Sequence, residues 1–269
     1  MFGRIAVIIG SLGSRVGATT AWARPVAGAR FRVDLRDRIQ CLMWAGRYER
    51  NTLSLLRALF AKGAHFLDVG AHVGYFSVAA AATLETGGQV HAFEPDPALY
   101  DLLRENLGPY SHANAWHAAV GSSNGRVMFF PSVVAGESGW GTVYRVDVIQ
   151  REQREVDGMA LDSWAEKHRL PGGPLVVKID AEGAEKKILE GAQALIRRRD
   201  VAVLCETNEV CLRRDGSSVQ DLVEWLHART FSVWAFSSDS GSEDMLLALK
   251  GDVWNSSPSS STTPLRLLL

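Results

Sequence analysis

Apolar residues follow two alternating patterns between about residue 48 and residue 250. Short, nearly continuous apolar segments, typical of strands buried on both faces, occupy residues 64–69, 89–93, 116–120, 175–179, 201–205, 231–236 and 245–250. Between them, apolar residues recur every three or four positions, which predicts helices over residues 49–60, 73–84, 99–107, 184–196 and 218–226. Strands that alternate with helices favour an α/β fold with a doubly wound, mostly parallel sheet.

The segment 121–160 does not follow this alternation. Two stretches with the character of antiparallel strands, Arg126–Phe130 and Thr142–Ile149, are joined there by the glycine-rich stretch Ala135–Gly141. We therefore predict a β insertion at the edge of the main sheet.

Both ends of the chain also differ from the main domain, which we place at residues 63–253. Residues 1–62 are predicted to form an N-terminal extension, interpreted as a helical lid or packing segment. Its apolar run Ile5–Leu12 is interrupted by Gly10 and Ser11, which favours a packing or membrane-surface segment over a signal peptide. Residues 254–269 include a Ser/Thr/Pro-rich stretch and are predicted to form a disordered tail.

Composition narrows the function classes. The 269 residues are 46% hydrophobic and 22% charged, as in ordinary soluble domains with a large core. A net charge of −1 provides no overall field for nucleic acid or an anionic membrane, and no apolar run approaches the roughly 20 residues that cross a bilayer. The cysteines form no Cys-x-x-Cys pair and fit a reducing compartment, so we predict a cytoplasmic protein. They are Cys41, Cys205 and Cys211.

Candidate binding residues follow the first two predicted strands. In a parallel sheet, ligands bind beyond the carboxyl ends of the strands, near the point where the strand order reverses. The first strand leads into the loop Asp68-Val69-Gly70-Ala71-His72-Val73-Gly74. Its glycines let the backbone approach a ligand closely. The second strand ends at Glu94, which is placed to accept hydrogen bonds from both hydroxyls of a ribose.

The loop favours S-adenosylmethionine (SAM) over a dinucleotide. Dinucleotide sites typically carry Gly-x-Gly-x-x-Gly, which places a pyrophosphate on a helix N-terminus, whereas the spacing here is Gly-x-x-x-Gly. SAM has no phosphate, and its sulfonium and ammonium groups suit a carboxylate such as Asp68, directly or through water. We therefore predict that SAM is held by Asp68, Gly70, His72, Gly74, Glu94, Pro95, Ala119 and Asp180.

Four segments resemble the FkbM-type methyltransferases over roughly residues 48–207. They are Phe66-Leu67-Asp68-Val69-Gly70-Ala71-His72-Val73-Gly74-Tyr75-Phe76-Ser77, Ala92-Phe93-Glu94-Pro95, Leu161-Asp162 and Lys178-Ile179-Asp180-Ala181-Glu182-Gly183-Ala184-Glu185, the last being the most family-specific. The resemblance implies a class I methyltransferase fold, with a seven-stranded sheet whose last strand is antiparallel, and O-methylation of natural products or sugars. One departure is His72, where the family usually has Asn, although His can also donate a hydrogen bond.

Acidic residues follow two further predicted strands. Asp180 and Glu182 come directly after the strand 175–179, and we predict that they are the catalytic residues next to the transferring methyl group. Glu185 either caps the following helix or pairs with Lys178. Glu206 and Asn208 follow the next strand. Together with Asp180 they could hold Mg²⁺ through oxygen ligands, by analogy with catechol-type methyltransferases; a metal-free site is the favoured alternative.

These observations predict a SAM-dependent O-methyltransferase that acts on a hydroxyl of a small molecule, natural product or sugar. A nicotinamide-dependent oxidoreductase is one alternative, which the glycine spacing and Asp68 oppose. A catalytically inactive cofactor-binding scaffold is another, which the presence of Asp68, Gly70, Glu94 and Asp180 opposes. The predicted partner is a small hydroxylated substrate and not a nucleic acid.

Overall fold

Within the described residues, strands form a large central sheet and two smaller sheets. The computed structural model describes residues 19–84, 87–132, 134–144, 152–239, 244–254 and 265–268. In chain order, the strands within these residues are β1 (Thr20–Ala23), β2 (Phe31–Asp34), β3 (His65–Val69), β4 (Val90–Phe93), β5 (Ala113–Trp116), β6 (Ala119–Val120), β7 (Gly125–Phe129), β8 (Arg154–Met159), β9 (Leu175–Ile179), β10 (Val201–Glu206), β11 (Ser232–Phe236), β12 (Met245–Lys250) and β13 (Arg266–Leu268).

The main sheet has the strand order β13-β11-β12-β10-β9-β3-β4-β5. Strands β5, β4, β3, β9 and β10 are parallel, and β12 lies antiparallel between β10 and β11. The seven strands from β5 to β11, among which β12 is antiparallel and last in chain order, confirm the predicted fold class. The strand order reverses at β3, which has β4 on one side and β9 on the other, so this is the place where ligands bind in such sheets.

Helices cover both faces of the main sheet. They are α1 (Arg38–Trp44), α2 (Arg50–Phe60), α3 (Tyr75–Thr83), α4 (Pro97–Leu107), α5 (Leu161–His168), α6 (Glu185–Glu190), α7 (Gln193–Ile196), α8 (Glu209–Leu212) and α9 (Val219–His227), and short 3₁₀ turns cover Ser138–Trp140, Arg213–Asp215 and Asp252–Trp254. Among the described helices, none combines the length and the apolar character that a membrane span requires.

Alternate residues of the central strands enter two separate cores. Phe66 and Val176 pack with side chains of α2 and α3 on one face, whereas Leu67 and Val177 pack with side chains of α5, α6 and α9 on the other. All five residues of β3 and all five of β9 are buried, which explains why these strands are continuous apolar runs in the sequence. The polar exceptions within them are His65, Asp68 and Lys178, of which Asp68 and Lys178 stand opposite each other in the β3–β9 register.

The helix predicted over residues 184–196 is divided into α6 and α7. The Gly191 carbonyl accepts a hydrogen bond from the Asp162 amide at 2.9 Å, and a Cβ on Gly191 would lie 2.1 Å from the carbonyl oxygen of Gly121. This close approach turns the backbone away from a continuous helix. The Asp162 carboxylate then accepts hydrogen bonds from the amides of Ala194 and Leu195, at 2.7 and 2.9 Å, which restores partners to the first turn of α7.

The insertion has different strands from those predicted. Residues 116–120, predicted as one strand, are divided between two. The first, β5, ends at Trp116, and the second, β6, belongs to a small sheet of order β6-β8-β7. The antiparallel partner of β7 is β8 and not the predicted strand Thr142–Ile149. In that segment, Thr142 forms an isolated bridge with Phe130, and residues 145–149 lie outside the described residues. Sequence analysis did not predict β8, because charged residues surround its few buried positions and it therefore lacks an apolar run.

The N-terminal extension is only partly helical. Its described part begins with an antiparallel hairpin of β1 and β2, which the sequence did not reveal, and continues with α1 and α2; residues 1–18 lie outside the described residues. The buried Asn106 side chain of α4 joins this hairpin to the main domain. It accepts from the Arg32 amide at 2.6 Å and donates to the carbonyls of Arg32 and Val73, at 3.0 and 2.8 Å.

The end of the chain differs from the predicted disordered tail of residues 254–269 at the positions that are described. Trp254 is buried, and β13 pairs with β11 as an eighth strand of the main sheet. The partly buried Leu268 packs against the core, which accounts for this order. The Ser/Thr/Pro-rich stretch lies outside the described residues.

We expect Asp162→Ala to destabilise the fold by about 1–3 kcal/mol, because two backbone amides of α7 lose their acceptor. Chemical denaturation with a fit of the free energy of unfolding measures this change. The neighbouring Ser163 provides the matched control, and Ser163→Ala should stay within about 0.5 kcal/mol of the parent. Equal stability of the two variants would contradict the role of Asp162.

Candidate functional site

The carboxyl ends of β3, β4, β9 and β10 open into one cleft, which the N-terminal extension and the insertion also border. Most residues predicted for the site line this cleft: Gly70, His72, Glu94, Pro95, Ala119, Asp180, Glu182, Glu206 and Asn208. Asp68 and Gly74 do not line it, and they lie behind its wall.

Glycine is required where the loop after β3 meets the loop after β9. Gly70 has a φ of +75°, and a Cβ there would lie 1.7 Å from the Asp180 carbonyl oxygen. The backbones of the two loops are therefore in direct contact, which a side chain at Gly70 would prevent. Gly74, with a φ of +91°, is the N-cap of α3 and packs against Leu103, so its position is structural.

Glu94 fixes the loop after β3 from the end of β4. Its Oε2 accepts a hydrogen bond from the His72 amide at 2.8 Å, and its Oε1 accepts one from the Asp96 amide at 2.9 Å. A carboxylate oxygen can accept more than one hydrogen bond, so Glu94 retains acceptor capacity towards the cleft. Burial raises the pKa of Glu94 to about 8, although the two backbone amides lower it.

Lys178 occupies the centre of the sheet beneath the cleft. Its side chain is only 2% exposed, and its Nζ donates to Asp180 Oδ2 at 2.9 Å. Burial lowers the pKa of Lys178, but the carboxylates of Asp180, Asp68 and Glu49 outweigh it, and the net pKa is above the ordinary value. Asp68 is fully buried and accepts a hydrogen bond from the Ser77 hydroxyl at 2.6 Å. It can therefore influence the cleft only through its neighbours.

The end of the cleft above β9 and β10 is acidic. Carboxylate oxygens of Asp180, Glu182 and Glu206 lie within 4.8 Å of one another. Burial, followed by the charge of Asp180, raises the pKa of Glu182 to about 7, and the same causes raise the pKa of Glu206 well above its ordinary value. The Oε2 atom of Glu206 is buried and has no hydrogen-bond partner among the described residues.

Two polar residues near this acidic end have structural partners. The Asn208 side chain caps α8 by accepting from the amides of Val210 and Cys211, at 3.2 and 3.3 Å. Glu185 accepts from the amides of Ala181 and Gly183, at 3.0 and 3.2 Å. Neither predicted alternative for Glu185 is observed, because these amides belong to the loop before α6, no side chain caps that helix, and Lys178 pairs with Asp180.

A bridge of hydrogen bonds joins α1 to the insertion beside the cleft. Arg38 makes a bidentate ion pair with Glu137, with N–O distances of 2.5 and 2.9 Å, and the Ser138 amide donates to Asp37 Oδ2 at 2.7 Å. The Ser138 hydroxyl lies 2.5 Å from Nε2 of His72, and burial lowers the pKa of that imidazole. His72 thus links the loop after β3 to the bridge.

Sequence reasoning missed the residues that the extension contributes to the cleft. Arg38, Tyr48 and Glu49 all line it. Glu49 precedes the first turn of α2, with a φ of +38°, and burial raises its pKa to about 7 against the opposing charge of Lys178. The sequence gives these residues no distinguishing signal, because polar residues are common at the ends of helices and Glu49 is simply the first residue of the helix predicted over residues 49–60.

Solved structures of methyltransferases align with much of this chain at low sequence identity. The methyltransferase FkbM from Methylobacillus flagellatus is 18% identical, with a TM-score of 0.48, over 70% of this chain and 44% of that protein. The O-methyltransferase from Bacillus cereus, solved in complex with S-adenosylhomocysteine (SAH), is 17% identical, with a TM-score of 0.46, over 74% of this chain and 79% of that protein.

Curated relatives are similar over part of their length. The 2-O-methyltransferase NoeI of Sinorhizobium fredii is 26% identical over 127 residues, which are 43% of this chain and 52% of the relative. The hexuronic acid methyltransferase AglP of Haloferax volcanii is 29% identical over 167 residues, which are 61% of this chain and 64% of the relative. The chain thus spans between half and two thirds of the length of these relatives.

The sequence model of the methyltransferase FkbM domain matches residues 68–233, from the loop after β3 to the start of β11. This match covers more than half of the chain and includes Glu94, Asp180, Glu182 and Glu206. The protein belongs to the methyltransferase FkbM family.

Proposed function

We propose that this protein is a SAM-dependent O-methyltransferase that acts on a hydroxyl of a small molecule, natural product or sugar. The observation that carries the proposal is the arrangement of the cleft, with Glu94 at the end of β4 and the acidic group of Asp180, Glu182 and Glu206 at the ends of β9 and β10. A ribose acceptor and a proton acceptor are the two functions that methyl transfer from SAM to a hydroxyl requires of the protein.

The charges around the cleft favour SAM over a nicotinamide dinucleotide. A pyrophosphate would have to approach Glu94 and Asp180, whereas the sulfonium and ammonium groups of SAM would be attracted to them. Tight binding of NAD in place of S-adenosylhomocysteine (SAH) in a calorimetric titration would overturn the proposal.

The relatives support a sugar hydroxyl as the acceptor. Their names specify 2-O-methylation in one case and a hexuronic acid in the other. We extend this class to the present chain as part of the proposal. A transfer screen with radiolabelled SAM against hydroxylated sugars, macrolides and phenols tests it, and labelling of no hydroxyl compound would favour an inactive scaffold.

The residues of the chain have distinct roles in this proposal. SAM, when bound, supplies the methyl group and a neutral thioether as leaving group. Glu94 holds the ribose, and the bridge formed by Arg38 and Glu137 limits access of water to the cleft. Glu182 takes the proton of the acceptor hydroxyl, because a pKa of about 7 suits a general base at neutral pH. Asp180, held by Lys178, positions the acceptor beside it.

A divalent cation at the acidic end is a second candidate arrangement. The oxygens of Asp180, Glu182 and Glu206 are close enough to share one ion, and carboxylates are the ligands that Mg²⁺ prefers. The unpartnered Oε2 of Glu206 fits such a ligand. Asn208, which the sequence suggests as a ligand, is engaged as a helix cap, so Glu182 would replace it.

We expect Glu94→Ala to weaken SAH binding at least about tenfold, because charge-assisted hydrogen bonds contribute roughly 1.5–3 kcal/mol each. Calorimetry measures the affinity, and a thermal melt verifies folding. Glu105→Ala is the matched control, since Glu105 is an exposed carboxylate of α4 outside the cleft. Unchanged SAH affinity in folded Glu94→Ala would remove Glu94 from the cofactor site.

We expect SAH affinity to rise with pH up to about 8 and to level off above that value. The ribose hydroxyls donate to an ionised Glu94, and below its pKa of about 8 binding must first remove a proton, which costs up to about tenfold in affinity per pH unit. Calorimetry across pH in buffers of different ionisation enthalpy measures both the affinity and the proton release. Glu94→Gln should flatten the dependence, and an unaltered slope in that variant would assign it to another group.

We expect Asp180→Asn to lose transfer activity by about a hundredfold, because the acceptor is no longer held in position. The variant should also lose stability, because the Lys178 ammonium is left buried without its partner. Initial transfer rates beside the free energy of unfolding separate the two effects. Both measurements are repeated in the presence of chelator, and binding of Mn²⁺ to the protein is measured by electron paramagnetic resonance. Together they test whether a divalent cation occupies the acidic end of the cleft. Full activity of the chelated variant would exclude both the proposed positioning role and the cation for Asp180.

A further inference from the structure

Glu49 is a cleft residue for which the family match and the motifs give no role. It lies in the extension, outside residues 68–233. Its left-handed backbone is uncommon for a residue with a side chain, and such strain concentrates at functional sites. His72 and Glu182 have the same kind of backbone, with φ of +54° and +52°, and they line the same cleft.

Glu49, Glu182 and Glu206 form a group of carboxylates without a cation of their own. Lys178 donates its hydrogen bond to Asp180, while Lys178 and Arg214 act on Glu49 and Glu182, respectively, through their charge. Within the described residues, none of the three carboxylates makes an ion pair, and the Oε2 atoms of Glu49 and Glu206 are buried without any hydrogen-bond partner. Burial of ionised carboxylates is unfavourable unless a positive charge lies beside them, so this arrangement favours binding of a cationic ligand.

The position of this carboxylate group relative to Glu94 identifies that ligand. Strands β4, β3, β9 and β10 are consecutive in the sheet and are spaced about 4.8 Å apart. A ligand with its ribose on Glu94 that extends across Gly70 therefore reaches the end of β9 within about 10 Å. In SAM, the adenine and the sulfonium are attached at opposite ends of the ribose, at C1′ and C5′, and the sulfonium is the cationic end that suits these carboxylates.

We propose that Glu49, Glu182 and Glu206 bind the positive charge of the SAM sulfonium and thereby distinguish SAM from its product. This inference rests on the proposed function. In the transfer, the acceptor oxygen forms a bond to the methyl carbon, the S–CH₃ bond breaks, and its electron pair remains on sulfur. The acceptor proton passes to a carboxylate. The sulfonium becomes a neutral thioether, so the product loses its attraction to the three carboxylates.

The test compares two ligands that differ in charge at the reacting position. SAH is neutral there, whereas sinefungin carries an amine. Calorimetry in the presence of chelator, which keeps metal ions away from the same carboxylates, should show that the full-length protein binds sinefungin at least about tenfold more tightly than SAH. Glu49→Gln and Glu206→Gln should each reduce this ratio at least about threefold, with SAH affinity within about twofold of the parent.

Two further variants make the result specific to charge. Glu166→Gln removes an exposed carboxylate of α5 outside the cleft and should leave the ratio unchanged. Glu49→Asp keeps the charge and should keep most of the preference. Equal affinities of the parent for the two ligands, or an undiminished ratio in both Gln variants, would overturn the inference and leave the proposed function intact. Failure of the parent to bind SAH would overturn the proposed function itself.

Discussion

The buried ammonium of Lys178 is the interaction on which the rest of the site depends. A lone charge at the centre of a sheet is costly, and it is tolerated here because Asp180 pairs with it and Asp68 stands opposite it on β3. Asp68 in turn holds Ser77 in α3. One cation thereby connects β9, β3 and α3, and it orients the Asp180 side chain at the edge of the cleft.

The central part of the fold was predictable because burial on both faces leaves a continuous apolar run. The bounds of β9 and β12 agree with those expected from the sequence for this reason. The division of α6 from α7 was not predictable, because it results from contact between Gly191 and Gly121, which are 70 positions apart in the chain. The hairpin and β8 were missed for a related reason: their partners, and not their own patterns, determine them.

The candidate site was also predictable from the sequence only in part. The rule that ligands bind at the carboxyl ends of parallel strands is enough to assign Glu94, Asp180, Glu182 and Glu206 to one cleft from the sequence. The rule does not say whether a polar side chain faces the cleft or the interior, and Asp68 faces the interior. It also has no bearing on Glu49, since the extension reaches the cleft from outside the alternating strands and helices.

The Asn106 side chain has a consequence for the surface of the molecule. The hairpin of β1 and β2 is too short to be stable alone, and a two-stranded sheet exposes backbone amides and carbonyls along both edges. At Arg32 these groups are occupied by the Asn106 amide, which presents one acceptor and one donor as a neighbouring strand would. The side chain thus takes the place of a neighbouring strand at this position, so the Arg32 amide and carbonyl are not available for pairing with a strand of another molecule.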